Sequence, residues 1–255
     1  SAGFQDVILP PAGDIALVVV GALIAGFVNG LTGTAYALVA MSFWLYAMPP
    51  TFAAPLVCLC AVGGHLQALP QIWHGIRWPR LWPFLFAGMI GVPLGTILLQ
   101  HLRPDPLKLG VGCLLVAYVG WNLLLPRPPV VALWGGRIAD SAAGFAGGVL
   151  GGMASLSGPI PVTWVQLRNW SRSEQRGVNQ PYNMSILLLA LISAALSGLL
   201  DTRWLLWAAI ALPISLVGTR IGLLLYGRVD DLQFRRIVIA MLGVSGLTLI
   251  GSSLR

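Results

Sequence analysis

Two short stretches gather small and hydroxyl residues inside otherwise apolar runs. One reads Gly26-Phe27-Val28-Asn29-Gly30-Leu31-Thr32-Gly33-Thr34. The other runs from Gly144 to Gly152 and is followed by Ser155, Ser157 and Gly158. Glycine lets other groups come close to the backbone, and glycine clusters mark interruptions in a helical pattern. A half-helix that starts at such a break exposes free N–H groups and a partial positive charge. Two such ends brought together would hold an anion without any lysine. The candidate contacts are Asn29, Gly30, Thr32, Gly33 and Thr34 in the first stretch, with Gly151, Gly152, Ser155, Ser157 and Gly158 in the second. Pro159 and Pro161 suit the first turn of a helix that restarts after Gly158. Close packing competes with this reading, because Gly26-x-x-x-Gly30 and Gly144-x-x-x-Gly148 are also small-residue helix contacts. Gly91-x-x-x-Gly95 and Gly218-x-x-x-Gly222 read as packing alone.

Further polar residues sit within apolar segments. Asn179 and Asn183, in Asn179-Gln180-Pro181-Tyr182-Asn183, are four apart and share a helix face. They either line a cavity or cap a helix start. The corresponding stretch of the first half, Ala53-Ala54-Pro55-Leu56-Val57, has no amide, so the halves are chemically unequal. His65 lies 12 residues before Arg77, roughly 18 Å along a helix. It is a ligand contact, a proton carrier or a satisfied structural histidine. Arg220, inside a span, is either functional or snorkels to the basic side. All eight acidic residues fall at ends or in loops, with no aspartate expected to be buried. That favours an anionic ligand. Cys58, Cys60 and Cys113 read as packing residues. Trp78, Trp82, Trp121, Trp134, Trp170, Trp204 and Trp207 read as interfacial anchors.

The elements that must position these residues follow from composition. Of 255 residues, 57% are hydrophobic and only 9% are charged, against about 25% charged in a soluble domain. Residues 15–76 carry no charge at all, and one crossing needs about 20 residues. A soluble enzyme and a nucleic-acid binder are excluded; the +7 net charge comes mostly from loop arginines. The start at Ser1-Ala2-Gly3 reads as a processed or added end, with no cleavable signal pattern. Charge-free runs, split at Pro49-Pro50, give eight units near 15–48, 52–74, 80–101, 106–125, 138–168, 177–200, 203–226 and 233–251.

Units one and five are long and broken. At an offset of 118, Gly26, Phe27, Gly30 and Gly33 fall on Gly144, Phe145, Gly148 and Gly151. Pro55 falls on Pro181 and Arg77-Trp78 on Arg203-Trp204, at an offset of 126. The chain therefore divides into repeats at 14–125 and 138–251, joined by a linker at 126–137. If each long unit is a hairpin, ten basic loop residues lie on one side and four on the other. Single crossings give eight against six, so the positive-inside rule selects the hairpins. The expected fold is an all-α polytopic membrane protein with two inverted-topology repeats. Each repeat is a broken, re-entrant hairpin plus three transmembrane helices, and both termini face outward.

The paired breaks, Gly26…Gly33-Thr34 and Gly144…Gly152…Ser157-Gly158-Pro159, resemble the sulfite exporter TauE/SafE family, also called the toluene-sulfonate uptake permease family. The similarity covers 14–251. It implies a secondary transporter of small sulfur-containing anions, such as sulfite or sulfoacetate, in a bacterial inner membrane. The Gly/Ser/Thr breaks and the Asn179/Asn183 face are then the binding elements. A passive anion channel of the same fold is the nearest rival. Coupling to protons or another ion, and a homodimeric assembly, are left open. No cofactor or metal is implied, nor an enzyme. Ser155-Leu156-Ser157-Gly158 departs from an intramembrane serine protease motif, and Cys58-x-Cys60 is not a C-x-x-C pair.

Overall fold

The long charge-free runs are helical, and several helices extend past them into charged residues, as the helix Thr202–Leu225 does through Arg220. The computed structural model describes residues 11–124, 135–168, 170–225, 239, 242–244, 246, 247 and 249–251. Residues 126–134 of the expected linker, Trp134, Arg228, Arg235, Arg236 and much of the eighth unit lie outside the described residues. The helices are α1 (Ala12–Thr32), α2 (Tyr36–Ala47), α3 (Pro50–Ile72), α4 (Trp78–His101), α5 (Pro104–Leu124), α6 (Gly136–Ala154), α7 (Pro159–Gln166), α8 (Arg172–Leu196) and α9 (Thr202–Leu225). No strand occurs among the described residues. Five helices are long and apolar enough to cross a bilayer: Ala12–Thr32, Pro50–Pro70, Trp78–His101, Asp105–Leu124 and Thr202–Leu225. This is an all-α, multi-pass membrane protein.

The outer faces are apolar at helical spacing. Phe86, Ile90, Leu94 and Ile97 are exposed on α4, and Val217, Ile221 and Leu224 on α9. Trp78, Trp82 and Phe86 stack along the outside of α4, which fits an anchoring role for the two tryptophans. Trp204 and Trp207 do not fit it: they are only 3% and 8% exposed and belong to the core. The register of α9 turns them onto its packed face, with Ala208 and Ala211. Helix α8 has 25 residues but a polar first half. Its Asn179, Gln180 and Asn183 are buried inside the bundle. A capping box starts it, with Ser171 and Glu174 bonded reciprocally. The Ser171 backbone N–H holds the Glu174 carboxyl below the ordinary carboxylate range.

Both broken units are hairpins. Helix α2 runs back along α1, where Trp44 Nε1 donates to the Val18 carbonyl at 3.2 Å. Helix α7 runs back along α6 until Arg168 reaches the Gly136 carbonyl at 3.2 Å. An ion pair closes that second hairpin: Arg168 meets Asp140 at 3.0 Å, with both side chains under a tenth exposed. Trp164 Nε1 donates to the other Asp140 oxygen at 2.7 Å. The expectation that no aspartate is buried is thus corrected. Asp140 is 5% exposed because a guanidinium from the far end of its own hairpin covers it.

The hairpins are gripped by helices of the opposite half. Helix α1 lies on α9, and α6 lies on α4. A Cβ added at Gly26 would strike the Ser215 carbonyl, and one at Gly30 the Thr219 carbonyl. Likewise, one at Gly148 would strike the Gly88 carbonyl and one at Gly152 the Val92 carbonyl. In return, Gly218 abuts Leu23 and Phe27 while Gly91 abuts Phe145 and Val149. These contacts fall into register at an offset of 122 (Gly26 to Gly148, Gly30 to Gly152), one turn beyond 118. Glycines spaced by four allow either alignment, and only the facing helix decides between them. Helices α1 and α6 are also continuous through their glycines, so the expectation that the glycine runs themselves are broken is corrected. The breaks follow immediately, at 33–35 and 155–158.

Gly148→Ala is expected to lower stability by about 1–3 kcal/mol, because backbones must separate. Gly110→Ala, where a methyl meets nothing within 4 Å, should leave the melting temperature unchanged or slightly raised. Asp140→Asn should cost about 3 kcal/mol by stranding the buried guanidinium. In thermal unfolding, the double variant Asp140→Leu/Arg168→Leu should recover part of that loss.

Candidate functional site at the helix breaks

Each break reverses the chain through a left-handed residue. In the first it is Gly33, φ 79°, whose N–H bonds the Asn29 carbonyl at 2.7 Å. In the second it is Ser155, φ 59°, the one non-glycine residue with positive φ among those described. Its N–H bonds the Gly151 carbonyl at 2.9 Å, and the Leu156 N–H bonds the Leu150 carbonyl at 3.1 Å. Chain ends inside hydrocarbon need such partners, because no water is there to supply them.

The hydroxyls at the breaks are largely spent on this task. Thr32 Oγ1 donates to the Val28 carbonyl at 2.9 Å and accepts from the N–H groups of Thr34 and Ala35 at 3.4 and 3.3 Å. Ser155 Oγ donates to the Ala54 carbonyl at 2.6 Å and touches Cys58 Sγ at 3.1 Å. Thr32 and Ser155 therefore hold the turns. Gly30 and Gly152 face the backbones of α9 and α4, where no room is left for a ligand. Gly151 faces Ile186 and Ser157. Two of α7's first three residues, Pro159 and Pro161, have no N–H to offer.

The two breaks meet. The position of a Cβ at Gly158 lies 3.4 Å from the Thr34 carbonyl oxygen and 3.4 Å from Asn183 Oδ1, while Gly33 lies against the Gln180 side chain. Ser157 Oγ donates to Asn183 Oδ1 at 2.6 Å. That bond fixes the amide so that its NH2 group points away from the serine. Asn183 Nδ2 has no protein partner, nor have Gln180 Nε2 and Oε1 or Asn179 Oδ1, although these residues are at most 5% exposed. Buried polar groups are normally bonded, so this concentration of unpartnered amide groups is the candidate site for a polar ligand. Its donors, the two amide nitrogens, are uncharged.

A second polar group lies along α1, α3 and α9. Asn29 and Thr219 face each other across Gly64. Asn29 Oδ1, Thr219 Oγ1 and His65 Nδ1 have no protein partner, and all three residues are buried. Arg220 is not with them. It is exposed on the outer face of α9 beside Val217 and Ile221, because one residue past Thr219 turns the helix by about 100°. Its assignment to the binding site is corrected accordingly. The apolar groove of about 840 Å³ between α5, α6 and α7, lined by Cys113, Tyr118, Trp121, Ile160 and Trp164 among others, also lies apart from the amides.

Sequence reasoning overlooked Gln180 and Thr219. Gln180 had a usable signal, being three residues before Asn183 and so on the same face. Thr219 sits within the Gly218-x-x-x-Gly222 motif that was read as packing alone. Ser215, which donates to the Tyr36 hydroxyl at 2.8 Å, had no signal at all.

The family model described as Sulfite exporter TauE/SafE matches residues 18–249. No curated protein and no solved structure matches the chain. The matched region contains both left-handed residues, and they differ in chemistry. Ser155→Ala is expected to destabilise by about 1 kcal/mol, since it keeps the left-handed strain and loses the buried hydroxyl's bond to the Ala54 carbonyl. Ser155→Gly loses the same bond but relieves the strain, so its melting temperature should fall less.

Proposed function

The chain belongs to the sulfite exporter TauE/SafE family, an anion-transport family of the membrane, and we propose that it is a secondary carrier of small sulfur-containing anions, sulfite or a sulfonate such as sulfoacetate, across a bacterial inner membrane. The observation that carries this reading is the set of buried, unpartnered amide groups of Asn183 and Gln180 where the two breaks meet. Asn183 Nδ2 and Gln180 Nε2 donate to the oxyanion's oxygens. Ser157 acts through Asn183 by holding Oδ1. The peptide groups of Gly33, Thr34 and Gly158 form the wall, and the positive ends of α2 and α7 add favourable dipole. Uncharged donors keep the anion bound without trapping it.

Two inverted repeats, 14–125 and 138–251 about the 126–137 linker, give this site its alternating access. The reciprocal packing of α1 on α9 and α6 on α4 supports that arrangement. So does the crossing of α3 and α8 between the halves. Rocking one hairpin with its gripping helix against the other would open the amides to each side in turn. The basic loops then face the cytoplasm and both termini the periplasm.

A thermal-shift panel of purified protein with sulfite, sulfate, thiosulfate, sulfoacetate, taurine and an arene sulfonate tests the ligand class. The true ligand at 100 times its Kd stabilises by about 2.7 kcal/mol. Asn183→Leu should weaken that ligand at least tenfold, about 1.4 kcal/mol, and Ser157→Ala by less. Binding unchanged in Asn183→Leu would place the anion elsewhere. In proteoliposomes, trans-stimulated uptake of labelled ligand is expected of a carrier and is absent in a passive channel.

A further inference from the structure

Between α5 and the second hairpin the outer surface is recessed. The apolar groove there has a volume of about 840 Å³, within the range of about 300–1,000 Å³ in which small-molecule sites fall. Its lining on α6 is Ala139, Ala142 and Ala143, whose short side chains leave the recess, and the rings of Tyr118, Trp121 and Trp164 border it. Other outward faces carry large exposed side chains instead, Phe86 and Ile90 on α4 and Val217 and Leu224 on α9. Two polar groups of the lining are bonded within the protein. Thr163 Oγ1 donates to the Pro159 carbonyl at 2.7 Å, and Trp164 Nε1 donates to Asp140 at 2.7 Å. Cys113, midway along the spanning helix α5, and Ile160, at the start of α7, are both exposed in the groove. It therefore opens outward at membrane depth. A hydrocarbon chain lying in such a recess gains dispersion contacts along its length that a convex face cannot give.

One end of the groove is positive. Ala139 is in the first turn of α6 and Trp164 is near the end of α7, so this is the end where the second hairpin both starts and finishes. Arg137, two residues before Ala139, is exposed there. The acid at this end is Asp140, and Arg168 and Trp164 already occupy its two oxygens. Arg137 takes part in neither ion pair found among the described residues. Helix α6 also starts without a side-chain cap, so its dipole adds to the same sign. A basic head joined to an apolar trough is complementary to an amphiphile with an anionic head and a hydrocarbon tail. A second copy of the chain fits less well. Twelve described residues line the groove, against about 20–30 a side in a standard protein interface. We infer that the groove between α5, α6 and α7 binds one acyl chain of an anionic phospholipid, with the phosphate at Arg137. The site lies apart from the amides and does not depend on what the protein carries.

The test uses the purified full chain in detergent, with phosphatidylglycerol or phosphatidylcholine added, and follows alkylation of Cys113 by an apolar maleimide. Cys113 is the exposed cysteine, whereas Cys58 and Cys60 are buried. Phosphatidylglycerol should slow the labelling saturably, at concentrations where phosphatidylcholine has little effect. Arg137→Gln should raise the half-saturating concentration of phosphatidylglycerol about fivefold, the equivalent of about 1 kcal/mol for one arginine, and leave the phosphatidylcholine curve in place. Ala142→Trp, a change at an exposed position, fills the recess. Native mass spectrometry should then show one retained phosphatidylglycerol fewer than in the parent chain. Labelling that neither lipid slows, or retention unchanged in Ala142→Trp, overturns the site. Equal protection by the two lipids, or no effect of Arg137→Gln, overturns the anionic head. Protection that grows with protein concentration in the absence of lipid makes this face a contact between copies and overturns the lipid reading.

Discussion

A carbonyl oxygen resting where a neighbour's Cβ would otherwise be is the contact on which this molecule depends. It occurs at Gly26, Gly30, Gly218 and Gly222 between α1 and α9, and at Gly91, Gly95, Gly144, Gly148 and Gly152 between α4 and α6. In hydrocarbon, helices gain nothing by hiding apolar side chains from lipid, so association comes from close packing and from polar contacts. The glycine stripes supply the first. They bring two backbones close enough for many small dispersion gains, and they hold two interrupted helices rigidly. A broken helix in a membrane is otherwise a liability, since its free peptide groups have no solvent.

The same packing sets the two breaks side by side. At each one, local side chains quiet the chain ends: Thr32 in the first, Ser155 with Ala54 in the second. What remains unsatisfied is contributed mostly by neighbours, the amides of α8 on one side and Thr219 of α9 on the other, with Asn29 from α1 itself. The halves share a packing plan but not a chemistry. Gln180 stands against Gly33 much as the Ala54 carbonyl stands against Ser155. One half offers a free amide where the other closes a hydrogen bond.

Much of this was legible in the residues. Charge-free runs located most of the helices, Pro49-Pro50 split the first of those runs between α2 and α3, and Gly33 and Gly158 lie in true breaks. The loop arginines implied hairpins, and Arg168 does return to Gly136. What was not legible needed a partner from far along the chain. A glycine every fourth residue reads the same one turn up or down, so the register between halves came only from the facing helix. Trp204 and Trp207 looked like belt residues because composition cannot say which face of α9 is covered. The Asp140–Arg168 pair joins residues that each look like ordinary loop charges. The roles of Thr32 and Ser155 were misjudged because a hydroxyl near a break is as readily consumed by its own turn as offered to a ligand.

The exchange of partners between halves bears on how the protein is made. Helix α1 enters the membrane long before α9 is synthesised, and α4 well before α6. At about 5–20 residues per second, α1 waits roughly 10–40 seconds for the surface that fits it. During that interval its glycine stripe has no α9 to pack against. The first half is thus an unfinished object until the second arrives.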